Sequence, residues 1–143
     1  IHDPLTGCFN RRYLAEQTAA GNAERWGCIV FDLDHFKHIN DTHGHQRGDE
    51  VLIAMAQFLH SHVRPQDAVI RLGGDEFLIL VREVEEGLTD SVVGRLDADR
   101  AAAPIGFTMG AAVVETGASL EAGLAEADRH LYKAREGRPP WSR

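Results

Sequence analysis

Asp32 closes the apolar run Cys28-Ile29-Val30-Phe31, and Asp75 and Glu76 follow the pair Gly73-Gly74 between two further apolar runs. Carboxylates at a strand end and in a hairpin turn come together from distant sequence positions when their strands are adjacent. Oxygen-only ligands of this kind suit Mg²⁺ or Mn²⁺, and two such ions roughly 3.5–4 Å apart activate an attacking hydroxyl while stabilising a leaving phosphate. Gly73 and Gly74 add a reason to expect a ligand, because without a Cβ they let a nucleotide approach the backbone closely. The plainer reading of the same residues is a glycine-rich turn whose acidic tip is merely solvated, since Gly-Gly-Asp is ordinary turn chemistry.

These carboxylates meet only if the surrounding chain forms neighbouring strands. Asn10 is placed to cap a helix over residues 10–20, which breaks at Gly21-Asn22. Residues 28–31 read as a buried strand ending at Asp32, and residues 34–40, with Phe36 and Ile39 three apart, as a short helical turn before the bend Asp41-Thr42-His43-Gly44. In residues 49–63 the apolar Val51, Leu52, Met55, Leu59 and Val63 recur at helical spacing and form one core-facing stripe. Residues 68–72 and 77–81 are strands separated only by Gly73-Gly74-Asp75-Glu76, which is hairpin length. Thr89 is placed to cap a helix reaching about residue 100, residues 107–114 read as a strand, and Ser119 opens a last helix with Leu120, Leu124, Ala127 and Leu131 on one face. Without the first and last helices the order is β-α-β-β-α-β. That predicts an α/β (α+β) domain of ferredoxin-like, palm type, with a central antiparallel sheet and helices on one face. Nucleic-acid polymerase palms and nucleotide cyclases share this layout.

Composition narrows the function. The chain has 143 residues, a formal charge of −7 and 43% hydrophobic residues, the profile of one soluble globular domain over residues 1–143. Its acidic balance argues against broad adhesion to nucleic acid or to an anionic membrane, which are held mostly by Lys and Arg. The longest charge-free stretch, residues 101–114, is interrupted by Pro104, Gly106 and Gly110 and falls short of the ~20 apolar residues a bilayer demands, so no transmembrane helix is expected. Ile1-His2-Asp3-Pro4 shows neither a basic leader nor an apolar core, so no secretory signal is expected, and the abrupt start reads as a domain excised from a longer protein. Cys8 and Cys28 lack CxxC spacing and are expected to be reduced, buried and cytosolic.

Gly73-Gly74-Asp75-Glu76-Phe77 spells the signature of the GGDEF diguanylate cyclases. The chain resembles that family further in Asp3-Pro4-Leu5-Thr6-Gly7, Asn10-Arg11-Arg12, Phe31-Asp32-Leu33-Asp34-His35-Phe36-Lys37, Asn40-Asp41 and Gly44-His45. Gly48-Asp49, Arg71-Leu72, Ala127-Asp128 and Leu131-Tyr132 extend the resemblance over nearly the whole chain, in order. The resemblance implies condensation of two GTP molecules, one on each of two facing subunits, into cyclic di-GMP with release of pyrophosphate. By motif position Asp32 and Asp75, with the Leu33 carbonyl, would hold Mg²⁺ or Mn²⁺, and Glu76 would assist the metal or deprotonate the attacking hydroxyl. Asn40 and Asp49 would read guanine. That assignment has chemical sense of its own, because a carboxylate accepts from guanine N1–H and its 2-amino group, whereas adenine offers neither donor there. Lys37 would contact the triphosphate as a point charge, beside Gly73 and Gly74. The resemblance also implies a homodimer for catalysis, an N-terminal sensory or regulatory domain in the full protein, a cytoplasmic site of action with or without a membrane anchor elsewhere in the full-length protein, and no nucleic-acid or membrane contact by this domain.

Arg64-Pro65-Gln66-Asp67 admits two readings. One is a helix end with a charge pair three residues apart, contributing only a few tenths of a kcal/mol. The other is a resemblance to the family's RxxD inhibitory site, in which Arg64 and Asp67 grip cyclic di-GMP through guanine and phosphate, with Arg95 read either as a second clasp or as a solvated surface arginine. His35, His38, His43 and His45 invite a zinc reading, but no third and fourth ligands fall at a recognisable spacing. The strands lack the exposed stacking aromatics of an RNA-binding sheet. At the carboxyl end the family continues as Ala-Lys and, two residues later, Gly-Arg-Asn. Here Ala134-Arg135-Glu136-Gly137-Arg138-Pro139 has Arg135 for the phosphate-contacting lysine and one residue fewer. The span from the hairpin to Gly110 is also shorter than usual. The alternative function is therefore a weak or inactive domain that receives GTP or cyclic di-GMP.

Overall fold

Asn10 accepts hydrogen bonds through its side chain from the backbone N–H groups of Arg12 and Tyr13 and so caps the first helix, α1, Arg11–Ala20. A computed structural model describes residues 1–21, 23–139 and 141. Gly21 ends α1 at φ 73°, while Asn22, the other half of the expected break, lies outside the described residues. There follow β1 (Trp26–Leu33), α2 (Phe36–His43), α3 (His45–His60), β2 (Ala68–Gly73), β3 (Glu76–Arg82), α4 (Leu88–Ala98), β4 (Phe107–Val114) and α5 (Leu120–Glu136). A single 3₁₀ turn, Arg100–Ala102, precedes β4.

The strands form one antiparallel sheet in the order β2-β3-β1-β4, the arrangement a β-α-β-β-α-β chain makes. The inner strands β1 and β3 are apolar on both faces, so both faces must be covered. Ile29, Phe31, Phe77, Ile79 and Val81 pack under α2, α3 and α4 with Met55, Leu59, Val92 and Leu96. Cys28, Val30, Leu78 and Leu80 pack on the opposite face with Leu120, Ala127, Leu124 and Leu131 of α5 and with Leu14 of α1. Helices therefore lie on both faces: the expected single layer belongs to the inner β-α-β-β-α-β unit, and the first and last helices sheath the other side. Gly110 lets α5 approach closely, because a Cβ there would run into the Ala127 carbonyl and the Leu131 backbone.

Several boundaries differ from the sequence expectation. Asp32 lies within β1, and Glu76 opens β3, so the connecting turn is only Gly74-Asp75. The helix expected over 49–63 starts at His45 and stops at His60. Beyond its end Ser61 donates its hydroxyl to the Phe58 carbonyl at 2.7 Å, and the His62 ring meets the same oxygen at 2.7 Å. Thr89 is not a cap. It lies inside α4, buried against Gly27, and its backbone N–H donates to Glu83 Oε1 at 2.7 Å, so a carboxylate from beyond β3 serves the helix start. Cys8 and Cys28 are free and buried, and burial pushes the Cys28 thiol up to about 12. No helix among the described residues is long and apolar enough to cross a membrane.

Candidate active site

Asp32 on β1 sits directly opposite Glu76 on β3, and on its other side opposite Thr108 on β4. Cross-strand partners present their side chains on the same face, with Cβ atoms about 4.5–5.5 Å apart, and two like charges so placed repel. Asp32 shares the face of Cys28 and Val30, which is the face α5 covers. There Val30, Phe31, Asp32, Leu72, Glu76 and Phe77 line a cavity of about 170 Å³ with Asp128 and Leu131 of α5. Opposed carboxylates at the mouth of a cavity call for a cation, and an all-oxygen donor set fits a hard divalent ion. The structure supplies one positive group of its own: Arg135, in the last turn of α5, contacts Asp32 Oδ2 through Nη1. The residue expected to meet phosphate is therefore engaged by the candidate metal ligand. Asp75, on the turn, is not among the cavity-lining residues, and no three His, Cys, Asp or Glu side chains converge as one cation site among the described residues.

Around this cavity the backbone is strongly held. Gly73 and Gly74 adopt φ 151° and 47°, a region that L side chains rarely enter, which explains glycine at both positions. Asp34 is buried, receives both terminal nitrogens of Arg138 at 2.9 and 2.8 Å, and takes the Gly106 carbonyl through its own N–H at 2.8 Å. Between Asp34 and α2, His35 stands in the left-handed region at φ 56°. Asp34, Asp128 and Arg138 are residues the sequence reading left outside the site. Asp34 and Asp128 fall in stretches that carry the resemblance, but nothing local tells that Asp34 is pinned by Arg138, just beyond the end of α5.

The expected guanine readers lie at the α2–α3 corner. Asn40 turns its side chain onto Gly48, where a Cβ would strike Oδ1, and that oxygen is buried without a hydrogen-bond partner. Asp49 follows Gly48 and is exposed, as is Lys37 on α2. An unpartnered buried acceptor beside an exposed carboxylate leaves hydrogen-bonding capacity for a ligand.

Arg64 and Asp67 come together as a two-pronged pair, Nη2 to Oδ1 at 2.9 Å and Nε to Oδ2 at 3.1 Å. The Asp67 side chain is wholly buried and also accepts the backbone N–H groups of Arg64 and Arg82, at 3.1 and 3.0 Å. Its hydrogen bonds raise the Arg64 guanidinium above its usual range, against an opposing effect of burial. Arg64 Nη2 reaches the Arg82 carbonyl as well, at 2.7 Å. Arg95 on α4 donates to the His62 carbonyl at 3.0 Å and so lies against the loop that carries Arg64. A cavity of about 400 Å³ opens beside the pair, lined in part by His2, Phe9, His60 and Val63. The four histidines of the zinc reading do not form a cluster with other metal-ligating side chains among the described residues.

The family model "Diguanylate cyclase, GGDEF domain" matches residues 1–139. The diguanylate cyclase DosC of Escherichia coli is 35% identical across 95% of this chain and 33% of its own length. Among solved structures, the diguanylate cyclase SiaD of Pseudomonas aeruginosa, in complex with its activator SiaC, has a TM-score of 0.84 at 30% identity, over 96% of this chain and 58% of that one. A microbial GGDEF domain solved with bis-(3,5)-cyclic di-GMP has a TM-score of 0.78 at 32% identity, over 95% of this chain and 93% of that one. The chain spans about a fifth to a third of the length of the curated relatives it matches. The sheet order, the cavity lined by Asp32, Glu76 and Asp128 and these matches agree: the chain belongs to the GGDEF domain family of diguanylate cyclases.

Proposed function

We propose that the chain joins two GTP molecules into cyclic di-GMP. The single observation that carries this reading is Asp32 facing Glu76 across β1 and β3, both lining one cavity, with Asp75 next to Glu76 in the chain. In each half-reaction the 3′-oxygen of one GTP forms a bond to the α-phosphorus of the other, the bond from that phosphorus to its bridging oxygen breaks, and pyrophosphate leaves. Glu76 assists the metal or takes the hydroxyl proton. Asp32, Asp75, Glu76 and the Leu33 carbonyl would hold Mg²⁺ or Mn²⁺, which when bound lowers the charge cost of bringing a nucleophile to a phosphate. Asn40 and Asp49 read the guanine edge, and Lys37, Gly73 and Gly74 receive the triphosphate. One copy binds one GTP, so cyclisation requires two copies facing each other. Arg64, Asp67 and Arg95 bind product and inhibit. Attached regulatory segments set when the copies meet, a reading supported by SiaD with its activator, and GTP as substrate places the domain in the cytoplasm.

Incubation with GTP and Mg²⁺ followed by nucleotide chromatography tests the reading: cyclic di-GMP and two equivalents of pyrophosphate are expected, and unchanged GTP overturns it. One observation favours a second reading. Arg135 on Asp32 already neutralises a candidate metal ligand, as a domain that binds nucleotide without turning it over would do. In that case GTP or cyclic di-GMP binds in calorimetry while no product forms.

A further inference from the structure

Gly73, the last residue of β2, and Gly74 lead into Asp75, and glycines by themselves hold no fixed conformation, so groups outside the turn must hold it. Arg71 on β2 does this from within the hairpin. Its Nε donates to the Gly74 carbonyl at 3.0 Å, and its Nη1 donates to both oxygens of Asp3, at 3.1 and 3.2 Å. The Gly74 carbonyl and the Asp75 N–H belong to one planar peptide unit, so holding the former orients the latter and the Cα that bears the Asp75 carboxylate.

Asp3 is itself held. Its Oδ2 accepts the Thr6 N–H at 2.9 Å and the Thr6 hydroxyl at 2.8 Å, and its backbone closes a turn with Gly7 and Cys8. Phe9 then lies parallel to β2, exchanging backbone bonds with Val69 and Arg71 at 3.1 and 2.9 Å. Arg11 Nε reaches the Leu72 carbonyl at 2.6 Å. Successive backbone groups of β2, up to the irregular step between Arg71 and Gly73, are thus fastened to residues 3–11. The Arg71 and Asp3 side chains are only 16% and 17% exposed, so their ion pair is shielded from water more than a surface pair is.

We propose that Arg71, braced by Asp3, is a positioning residue for the reaction: it sets the Gly74–Asp75 peptide, and through it the turn of residues 3–8 and the hairpin tip move as one unit. The consequence for turnover rests on the diguanylate cyclase reading, whereas the tether itself does not. Lysine at position 71 keeps the charge near Asp3 but lacks the planar fork that serves Asp3 and Gly74 together. Asparagine at position 3 keeps the shape and loses the charge.

The test combines amide hydrogen exchange with kinetics on the wild-type chain, Arg71→Lys and Asp3→Asn. Exchange at Glu76, which pairs with Gly73 at the tip, is expected to rise by about tenfold or more in both variants, while Ile29, Phe31 and Leu78 in the inner strands keep wild-type protection. With GTP, kcat is expected to fall about tenfold with KM little changed, the pattern of a misplaced reacting group. Exchange at the tip equal to wild type overturns the proposal. So does faster exchange spread evenly over β1, β3 and β4, which would make Arg71 a contributor to global stability alone. A wild-type chain that forms no cyclic di-GMP removes the kinetic arm, and the exchange at the tip still decides for or against the tether.

Discussion

Arg138 grips Asp34 through both terminal nitrogens, at 2.9 and 2.8 Å, and so ties the carboxyl end of the domain to the segment directly after Asp32. Asp34 is 8% exposed at its side chain and Arg138 31%. Arg138→Ala leaves a buried carboxylate short of its cation, which is expected to lower stability by about 2 kcal/mol, below the full cost of a broken buried pair because the guanidinium is partly solvated. Arg138→Lys recovers part of this but not the fork. Denaturant midpoints at constant slope measure both, and an Arg138→Ala midpoint at the wild-type value would remove the anchor.

Asp75→Asn is expected to cut cyclic di-GMP formation by roughly 10³-fold or more, since a lost ligand charge removes several kcal/mol of transition-state stabilisation. Asp75 is half-buried between the exposed Gly74 and Glu76 and outside both apolar clusters, so the circular dichroism spectrum and melting point should stay close to wild type. Near-normal turnover in the purified variant would sink the metal-binding role of Asp75.

Asp49→Ser is expected to weaken GTP by about 1.5–3 kcal/mol and to narrow its advantage over ATP, because a charge-assisted contact to two guanine donors is lost. Asp49 is exposed at the start of α3, so the fold has no stake in it. Competition binding reads the ratio, and an unchanged GTP to ATP preference would assign base reading elsewhere.

Arg64→Ala is expected to weaken cyclic di-GMP binding more than GTP binding and to remove the slowdown of the progress curve as product accumulates. A ligand shifts an equilibrium only through differential affinity, so both effects must appear together. The structure adds a second effect: Asp67, wholly buried at its side chain, loses its guanidinium, and stability is expected to drop by about 3 kcal/mol. Calorimetric titration of cyclic di-GMP below the melting range separates the two. Equal product affinity in variant and wild type would make Arg64 a structural clasp for Asp67 and nothing more.

Acid sensitivity follows from Asp3. Burial pushes its carboxyl up, but hydrogen bonds from the Thr6 hydroxyl and backbone, and the Arg71 guanidinium, outweigh burial and hold it below the ordinary value of 3.8. A carboxyl lowered in the folded state contributes stability that is complete above 3.8 and is lost as the pH falls through the folded value. Asp3→Asn should therefore flatten the acid limb of the stability curve below that point. Parallel acid limbs for the two proteins would contradict this contribution.

The sequence alone determined the strands and the starts of the first and last helices, because these depend on neighbours in the chain. Residues 107–114 become β4 with the expected limits, and Asn10 and Ser119 cap α1 and α5 as their side chains allow. The apolar runs at 28–31 and 77–81 and the Gly-Gly turn put Asp32 at a strand end and Glu76 in a hairpin turn, which the structure shows as opposed positions on β1 and β3, and the motifs named the family. Tertiary structure decided what distant groups do to one another. Thr89 looks like a cap, yet Gly27 gives its side chain room to bury and Glu83 takes over its N–H. Arg135 reads as a phosphate contact, yet the close seat of α5 on Gly110 brings it to Asp32. Arg64 and Asp67 read as a free clasp or a minor surface pair, yet burial of Asp67 beneath Arg82 makes them a closed one. Backbone periodicity and capping act over three or four residues, whereas the partner of a long charged side chain is fixed only when the sheet and α5 have packed.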